Sequence, residues 1–351
     1  MRPVGVAVLG AGYWGPNLIR NFTASGDFDV RWVCDLSLDR ARRAVGRYST
    51  VRVTDELASV LDDESVQAVA IATPASTHAE VALAAIDAGK HVLIEKPLAT
   101  SVSEGEKIIA AASARNRVVM LDHTYCYTPS VRRIRELVES GALGQIQYLD
   151  SVRINLGLIQ RDIDVIWDLA PHDLSILDFI LPPDQRPESV AAFGADPVGA
   201  GQSCVAYLTL PLPGDAIAHV HVNWLSPTKI RQMIVGGSQR MVVWDDLHPT
   251  QRLSVFDKGV NLTRPEDAGA DAAARVERLV SYRVGEMVAP ALPEGEALRG
   301  VVTEFARAIR EDGLPLTDGA SGLRVLRQLE AAAMSHAQGG GMVSLSPRME
   351  D

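Results

Sequence analysis

The first third of the chain alternates short apolar runs with segments whose apolar residues recur at helical spacing. The runs have the length of strands and are rich in Val, Ile and Ala. Strands that are covered on both faces of a parallel sheet have this continuous apolar character. The alternation therefore predicts βαβ units with right-handed crossovers. The predicted strands are Val4–Leu9, Val30–Cys34, Val51–Val53, Ala68–Ala72, His91–Ile94 and Val118–Leu121.

Two of the helices in this part are predicted to begin at capping boxes. In a capping box a hydroxyl side chain caps the helix and a Glu three residues later reaches back to it. Thr77 with Glu80 fits this pattern, and Gly89 stands where a left-handed residue commonly ends a helix. Ser103 with Glu106 is the second candidate.

After residue 122 the pattern changes from alternation to consecutive strands. The predicted strands are Ile146–Ile154, Val190–Phe193, Ser203–Leu210, Ala216–Trp224, Arg231–Gly236 and Met241–Asp245. The predicted helices are Thr128–Ser140, Asp168–Leu181, Ala297–Glu311 and Ser321–His336. Residues 259–296 are polar, and we expect a long loop or an arm there. The prediction is an α/β domain over 1–122, followed by an α+β domain with a mainly antiparallel sheet over 123–351.

Composition and charge exclude several functional classes. A chain of 351 residues suggests about two domains, and its net charge of −10 argues against a nucleic-acid binder that works through a basic face. The sequence has no apolar run long enough to span a membrane and no recognisable export signal at residues 1–6. Its three cysteines are scattered. We therefore expect a cytoplasmic protein without a membrane or nucleic-acid partner, a disulfide framework or a zinc site.

A glycine-rich motif follows the first predicted strand. Gly10, Gly12 and Gly15 have the G-x-G-x-x-G spacing, and a helical pattern begins directly afterwards. Glycines at these positions let the backbone approach a pyrophosphate at a helix N-terminus. Asp35 ends the next strand, where its carboxylate is expected to accept hydrogen bonds from a ribose. The bland alternative is a tight turn with a solvated Asp, but the strand, turn, helix and acid together favour dinucleotide binding.

Polar residues also follow the fourth and fifth predicted strands. Thr73 and Pro74 end one strand, and His78 opens the following helix. Glu95 and Lys96 end the other. The carboxyl ends of parallel strands line the ligand crevice of such a sheet, so these residues are candidates for cofactor contact. On spacing alone, Lys96 is more often a solvated strand-end residue than a proton donor.

A carboxylate and an imidazole lie four positions apart in the second domain. Asp168 and His172 share one helix face if this segment is helical, and a carboxylate can orient an imidazole for proton abstraction. Pro171 suggests that the helix begins near Asp168, since Pro is tolerated in a first turn. The alternative is a capping Asp beside a buried His. His219 and His221 alternate on one strand, but no third ligand suggests a metal site.

Taken together, these motifs resemble the glucose–fructose oxidoreductase/inositol dehydrogenase (Gfo/Idh/MocA) family. The resemblance covers nearly the whole chain. It implies a Rossmann dinucleotide-binding domain and an open-faced, mainly antiparallel sheet domain, with no metal. The residues that carry it are Gly10-x-Gly12-x-x-Gly15, Ala72-Thr73-Pro74 with Thr77-His78, Glu95-Lys96-Pro97 and Asp168-x-x-x-His172.

The resemblance also implies residue roles. Lys96 and His172 would be the proton-handling pair, and Asp168 would orient the imidazole. Tyr125 or Tyr127 is the next candidate for the proton if His172 does not take it. The expected cofactor-binding residues are Gly10, Gly12, Tyr13, Trp14, Gly15, Asp35, Thr73, Pro74, His78, Glu95 and Lys96. The expected substrate-binding residues are Lys96, Tyr125, Arg153, Asn155, Asp168 and His172.

The segment from Arg153 to Asp173 looks most like the branch of sugar-nucleotide 3-dehydrogenases and ketosugar reductases. It implies an enzyme that interconverts an alcohol and a ketone on a pyranose, with a nucleotide-linked sugar and its C3 position favoured. A cyclitol dehydrogenase would use the same residues. A non-catalytic NAD- or sugar-sensing regulator is the alternative from another class, and retention of Lys96, Asp168 and His172 argues against it.

Two further expectations concern the cofactor and the assembly. Asp35 should favour NAD over NADP, because a 2′-phosphate would meet its negative charge. The resemblance implies a homodimer or homotetramer formed through the C-terminal sheet. Its strand at 216–224 offers a small apolar row for that contact, consisting of Ala216, Ala218, Val220 and Val222.

Overall fold

The computed structural model describes residues 2–46, 49–160, 163–262 and 280–345. The chain forms two compact units, and the first combines Met1–Thr128, Leu174–Phe179 and Glu294–Glu330. A single cut between residues 122 and 123 does not reproduce this division, because two stretches from the later part of the chain return to the first unit. The second unit consists of Pro129–Asp173, Ile180–Pro293 and Ala331–Asp351.

Six strands form the sheet of the first unit. They are β1 (Val4–Leu9), β2 (Phe28–Cys34), β3 (Arg52–Thr54), β4 (Ala68–Ile71), β5 (His91–Glu95) and β6 (Val119–Asp122). Their order is β3-β2-β1-β4-β5-β6, and every pair is parallel. This confirms the predicted Rossmann-type sheet. The strand order reverses at β1 and β4, and ligands of such sheets bind beyond the carboxyl ends of the strands there.

The helices of this unit are α1 (Gly15–Ala24), α2 (Leu38–Val45), α3 (Leu57–Leu61), α4 (His78–Asp87) and α5 (Val102–Ala114). Both predicted capping boxes are wrong. Thr77 lies at the end of a 3₁₀ turn with helical backbone angles, and its hydroxyl bonds Thr73 Oγ1 and the Pro74 carbonyl instead of capping α4. The cap of α5 is Ser101, whose Oγ accepts the Glu104 backbone N–H, so Ser103 lies within the helix.

The second unit contains a nine-stranded sheet. Its strands are β7 (Ile146–Leu156), β8 (Ser189–Ala195), β9 (Val205–Leu212), β10 (Ala216–Asn223), β11 (Leu225–Gly237), β12 (Met241–Asp245), β13 (Leu253–Leu262), β14 (Val280–Val288) and β15 (Val343–Ser344). The order is β14-β13-β12-β11-β7-β10-β9-β8-β15. Within this sheet, as far as the described residues show, β7 and β10 pair in parallel and the other strand pairs are antiparallel. The mainly antiparallel sheet is confirmed.

The expectation of a loop or arm over 259–296 is wrong in part. β13 reaches residue 262, and β14 pairs with it as the last strand of the sheet. Residues 263–279 of the predicted loop lie outside the described residues. β14 was missed although Val280, Tyr282 and Val284 alternate with Ser281, Arg283 and Gly285, because the stretch around it is mostly polar.

The apolar row chosen on β10 lies in the core. Ala216, Ala218, Val220 and Val222 are at most 7% exposed, so they are covered within the unit and do not form an open surface. The opposite face of the strand carries Ile217, His219, His221 and Asn223, which are half-buried or exposed.

Helix α6 spans Pro129–Glu139, and α7 spans Val165–Ile180. The prediction that the second of these helices begins near Asp168 is wrong. Asp164 Oδ1 accepts the Trp167 backbone N–H at 3.0 Å and so satisfies one of the free donors of the first turn. Pro171 consequently lies inside α7.

Two helices close the chain, α8 (Ala297–Arg310) and α9 (Gly319–Ala337). The apolar face of α8 completes the core of the first unit, where Phe305 stacks on Phe28 with ring centroids 5.8 Å apart. Phe28 in turn meets Phe22 of α1 edge to face at 4.8 Å. These contacts explain why residues after the second sheet belong to the first unit. Within the described ranges, no helix has the length and apolarity that a membrane span requires.

Candidate active site

The turn from β1 to α1 has the geometry that a dinucleotide requires. Gly10 has φ +93°, and a Cβ there would lie 2.5 Å from the Ala72 carbonyl oxygen. A Cβ at Gly15 would lie 2.1 Å from the Gly10 carbonyl oxygen. Gly10 and Gly15 are therefore needed for the turn itself. At Gly12 a Cβ would meet no atom of the described residues within 4 Å, so this glycine leaves open space on the ligand side.

The N-terminus of α1 fits a pyrophosphate. The first turn contains no acidic residue, and no side chain caps it. Its backbone N–H groups and the positive end of the helix dipole are therefore directed at the open space beside Gly12. The side chains of Tyr13 and Leu36 are 94% and 91% exposed, and they follow Gly12 and Asp35 in sequence. These residues fit a bound NAD.

Asp35 anchors the same turn. Its Oδ2 accepts the Ala11 backbone N–H at 2.7 Å, and its Oδ1 accepts the Ser37 backbone N–H at 2.7 Å. Arg40 donates to Oδ1 from Nη2 at 2.9 Å. Burial alone would raise the pKa of Asp35, but these hydrogen bonds outweigh it and hold the pKa below its usual value. Asp35 is therefore ionised at neutral pH, and Arg40 offsets part of its charge.

Trp14 is joined to the end of β6. Its indole Nε1 donates to Asp122 Oδ2 at 3.2 Å, and Thr124 Oγ1 donates to Asp122 Oδ1 at 2.7 Å. Both oxygens of this carboxylate, which is 1% exposed, thus accept a hydrogen bond. The expected cofactor residue Trp14 is thus also a tether between the helix that follows the glycine turn and β6. Sequence reasoning missed Asp122, although its position at a strand end matched that of Asp35.

Glu95 lies beside Asp122 because the two residues are register partners on β5 and β6. Glu95 as a residue is half-buried, but its Oε1 is inaccessible to solvent and has no hydrogen-bond partner in the described part of the chain. Burial, and then the charge of Asp122, raise the pKa of Glu95 well above its usual value, against the opposing charge of Lys96. Burial and the neighbouring carboxylate therefore both favour the protonated form of Glu95.

His78 was expected to contact the cofactor, but its imidazole is buried between two backbone carbonyls. The residue is 1% exposed, and its two ring nitrogens lie 2.7 Å from the Pro97 carbonyl and 2.9 Å from the Thr73 carbonyl. Burial lowers the pKa of the imidazole, and the contacts with the two carbonyls act in the opposite direction. His78 therefore braces the two strand-end turns, while Thr73 and Pro74 remain at the ligand edge.

Lys96 follows β5, and the Lys96–Pro97 peptide bond is cis. The residue is half-buried, and its backbone N–H donates to Glu95 Oε2 at 3.3 Å. Its positive charge influences the pKa values of His78, Glu95 and His123. Lys96 therefore stands among titratable groups at the carboxyl ends of the strands, which is where a proton-handling residue of this unit was expected.

His123 is a buried imidazole that the sequence did not single out. It is 3% exposed, and neither ring nitrogen has a hydrogen-bond partner within the described ranges. It lines a small cavity with Cys126, Ser175 and Asp178. Burial lowers the pKa of His123 to about 4, and the charge of Lys96 acts in the same direction. The imidazole is therefore neutral at physiological pH.

In the second unit, Asp168 and His172 lie one turn apart on α7 and both are half-buried. Trp224, itself 1% exposed, donates its indole N–H to Asp168 Oδ2 at 3.0 Å. The predicted dyad therefore lies on a helix, with its carboxylate held by a buried tryptophan. Asn155 is half-buried near the end of β7, and Tyr125 is half-buried in the first unit.

Arg153 does not occupy the position expected of a substrate contact. Its guanidinium binds both oxygens of Asp173, with Nε to Oδ2 at 2.7 Å and Nη2 to Oδ1 at 3.0 Å. The two side chains are 3% and 2% exposed. An ion pair in the core uses the polar groups of Arg153 and shields them from solvent. No sequence pattern indicates this partner, because Asp173 is simply one more polar position after His172.

His219 and His221 stack on Tyr207, with ring centroids 5.9 and 4.3 Å away. No group of three His, Cys, Asp or Glu side chains in the described residues is arranged to hold a metal ion. The two histidines are thus part of an aromatic cluster on one face of β9 and β10.

A family model described as the oxidoreductase family with an NAD-binding Rossmann fold (GFO_IDH_MocA) matches residues 4–123. A model of the GFO/IDH/MocA C-terminal domain matches residues 131–243. The two models match the chain in order and together cover most of it.

Three relatives illustrate the range of named activities. Levoglucosan dehydrogenase of Pseudarthrobacter phenanthrenivorans is 33% identical over 154 residues, 42% of this chain and 40% of that protein. Inositol 2-dehydrogenase 3 of Saccharopolyspora erythraea is 38% identical over 182 residues, which are 51% of this chain and 54% of that protein. The chain thus spans about half the length of these two. UDP-N-acetylglucosamine 3-dehydrogenase of Acidithiobacillus ferrooxidans is 28% identical over 266 residues, which are 74% of this chain and 76% of that protein.

A solved structure of the Acidithiobacillus ferrooxidans enzyme superposes with a TM-score of 0.79 at 24% identity. The superposition covers 96% of this chain and 99% of that one. This likeness establishes a common fold over both units.

Proposed function

The chain belongs to the GFO/IDH/MocA family of NAD-binding oxidoreductases, and on that premise we propose that it interconverts a secondary alcohol and a ketone on a pyranose. The observation that carries the proposal is the dyad on α7. Asp168 and His172 lie one turn apart on this helix, half-buried, and a tryptophan fixes the carboxylate. A carboxylate that orients an imidazole is a common arrangement for taking a proton from a hydroxyl group.

Each candidate residue has one role in this reaction. In the oxidative direction His172 takes the proton of the hydroxyl group, and Asp168 holds the imidazole in the required tautomer. Lys96 donates a hydrogen bond to the same oxygen and offsets its developing negative charge. When bound, NAD supplies the acceptor for the hydride that leaves the carbon. The glycine turn and Asp35 bind the dinucleotide, and Asn155 and Tyr125 are the remaining candidates for sugar contacts.

We further propose that the pyranose is nucleotide-linked and reacts at C3. The similarity to UDP-N-acetylglucosamine 3-dehydrogenase supports this choice, because it covers 74% of this chain and includes residues of both units. A cyclitol is the second candidate. It is favoured by the inositol 2-dehydrogenase of Saccharopolyspora erythraea, which is more similar per residue but over about half the chain.

A substrate screen tests both proposals. The wild-type protein is mixed with NAD⁺ and, separately, with UDP-N-acetylglucosamine, other nucleotide sugars, free sugars and inositols, and absorbance at 340 nm is followed. We expect turnover with a nucleotide sugar, at a kcat/KM at least tenfold above that for any inositol. A higher kcat/KM for an inositol would identify the protein as a cyclitol dehydrogenase. NAD binding without turnover on any compound would support a regulator instead.

We also propose that the protein assembles as a homodimer or homotetramer through the sheet of the second unit. The open face of this sheet carries Phe193, Tyr207 and Ile217, whose side chains are 59%, 43% and 46% exposed. Phe193 and Tyr207 are register partners, and Tyr207 pairs with His221, so three neighbouring strands present rings on one face. Neighbouring exposed apolar side chains on one face commonly mark a site of protein–protein contact.

A further inference from the structure

We propose that the buried ion pair between Arg153 and Asp173 is a positioning device for His172. This inference rests on the proposed function, because it assigns the pair a role in the reaction of the dyad. Arg153 and Asp173 do not touch substrate in this account. They fix the rotation of α7 about its axis and its distance from β7, and thereby the position of the His172 imidazole.

The pair forms a rigid link between α7 and β7. The Asp173 carboxylate accepts both arms of the Arg153 guanidinium and also the Ser151 hydroxyl, at 2.8 Å to Oδ1. Ser151 and Arg153 are two positions apart on β7, so both project from the same face of the strand. The carboxylate thus accepts three hydrogen bonds from two side chains of β7, and these restrict it to a single position. A bidentate contact of this kind fixes orientation as well as distance.

This link acts on the residue next to the proposed base. Asp173 follows His172 directly, and consecutive helical residues are rotated by about 100°. With Asp173 directed into the core, His172 is turned to one side, and Asp168 lies about 40° further round the same helix face. The solvent exposure agrees, since Asp173 is 1% exposed whereas Asp168 and His172 are half-buried. A rotation of α7 would therefore move both members of the dyad.

The turn that carries the dyad needs such a link. Pro171 has no backbone N–H, so the helix lacks the hydrogen bond from position 171 to the Trp167 carbonyl. The missing bond would span residues 167–171, which include Asp168 and end next to His172. Side chains hold this turn from both ends instead. Trp224 binds Asp168 on one end, and Arg153 binds Asp173 on the other.

Stability alone does not account for the pair. Two charges that are withdrawn from water regain little net free energy, and apolar residues of similar size commonly hold a core equally well. A stabilising role and a positioning role of the pair can therefore be separated by experiment. Replacing both residues with apolar ones, Arg153→Met with Asp173→Leu, should leave the melting temperature near that of the wild type. It removes the hydrogen bonds that set the orientation of α7.

The kinetic test compares this double variant in two backgrounds. In the wild-type background we expect kcat to fall at least tenfold with an unchanged Kd for NAD, because a displacement of about 1 Å can cost roughly 100-fold in rate. In the His172→Ala background the same replacement should change the residual turnover less than twofold, since its effect passes through His172. An equal loss in both backgrounds, or a wild-type kcat, would overturn the proposal.

A matched control uses another ion pair of the second unit. Arg283 Nε lies 2.7 Å from Asp257 Oδ1, on β13 and β14. Arg283→Met with Asp257→Leu removes the same charges from these two strands at the sheet edge and should leave kcat unchanged. A similar loss of kcat in the control would mean that any ion pair of the unit supports turnover, and it would contradict a specific role for Arg153.

An NMR measurement decides the matter without turnover. In protein labelled with ¹³C-histidine, the His172 signal is the one that disappears in His172→Ala. We expect the Arg153→Met/Asp173→Leu variant to shift this signal and the Arg283→Met/Asp257→Leu variant to leave it in place. If the double variant does not fold, Asp173→Asn replaces it. An unmoved signal overturns the positioning role even where turnover is seen. A moved signal with no turnover on any sugar supports that role and counts against the proposed function.

Discussion

At the scale of single residues, Arg40 changes what Asp35 can do. Two unit charges about 4 Å apart repel by roughly 4 kcal/mol at an effective dielectric near 20, and solvent reduces this further. The sequence alone suggests a preference for NAD over NADP of about 5- to 150-fold. Arg40 lies 2.9 Å from the Asp35 carboxylate and offers a cation to a 2′-phosphate. We therefore expect a value near the lower end of that range.

The prediction concerns both members of this pair. Asp35→Ser should reduce the ratio of NADP Kd to NAD Kd toward one, because it removes the repelling charge. Arg40→Gln should raise the ratio, because it removes the offsetting cation. Fluorescence titration of each protein with both cofactors measures the ratios. Wild-type protein that binds NADP as tightly as NAD would show that Asp35 does not face the ribose.

His123 should make the protein sensitive to acid. Burial lowers its pKa to about 4, whereas an unfolded chain has a His pKa near 6.5. The unfolded state therefore binds more protons between these values, and stability falls as the pH falls through this window, by at most about 3 kcal/mol. His91, whose pKa burial also lowers to about 4, adds to the same loss.

The corresponding variant is His123→Leu. It keeps an apolar side chain in the cavity and removes the group that must be protonated. Urea unfolding at pH 7, 5.5 and 4 should give a smaller loss of unfolding free energy with acid than in the wild type, with His91 accounting for part of the remainder. An unchanged pH dependence would mean that solvent reaches His123 in the folded state.

At the scale of elements, the turn between β1 and α1 separates folding from binding. Gly12→Ala should leave the melting temperature unchanged, because its Cβ would meet no atom of the described residues within 4 Å. It should weaken NAD binding at least tenfold by filling the space left for the pyrophosphate. Gly10→Ala is the matched control, since a Cβ there meets the Ala72 carbonyl and φ is +93°. This control should lose stability. Undiminished NAD affinity in Gly12→Ala would place the pyrophosphate elsewhere.

The elements also show what the sequence could reveal. The glycine turn and the parallel strands were predictable because both depend on local patterns. The start of α7 was not, because Pro171 suggested a first turn while Asp164 supplies the cap three residues before Trp167. Ser101 was missed for a similar reason, since two serines stand near the start of α5. The role of Arg153 was hidden because it depends on a partner 20 residues away.

At the scale of the whole molecule, the open face of the second sheet should control assembly. Light scattering of the wild type should give a mass of two or four chains of 37.8 kDa at micromolar concentration. Tyr207→Glu with Ile217→Glu places charges on that face and should yield monomers with an unchanged circular dichroism spectrum. A wild-type protein that is monomeric, or a variant that assembles normally, would contradict the proposed interface.

The division of the chain into units was the least accessible feature of the sequence. Helix α8 has the amphipathic pattern of any surface helix, and nothing in it specifies which sheet it will cover. Its Phe305 stacks on Phe28, which is far away in the sequence, and this contact places the helix in the first unit. The catalytic candidates were more accessible, because Lys96 and the Asp168–His172 spacing belong to short motifs.

The central claim is that Lys96 and His172 handle the proton while the glycine turn binds NAD. The most direct measurement is kcat together with NAD Kd for Lys96→Met and His172→Ala, on the substrate that the screen identifies. Each variant should lose at least 100-fold in kcat with a Kd within about twofold of the wild type, and Asp168→Asn should lose less than His172→Ala. Near-normal turnover in His172→Ala would contradict the account and move the proton to another residue, with Tyr125 the next to be tested.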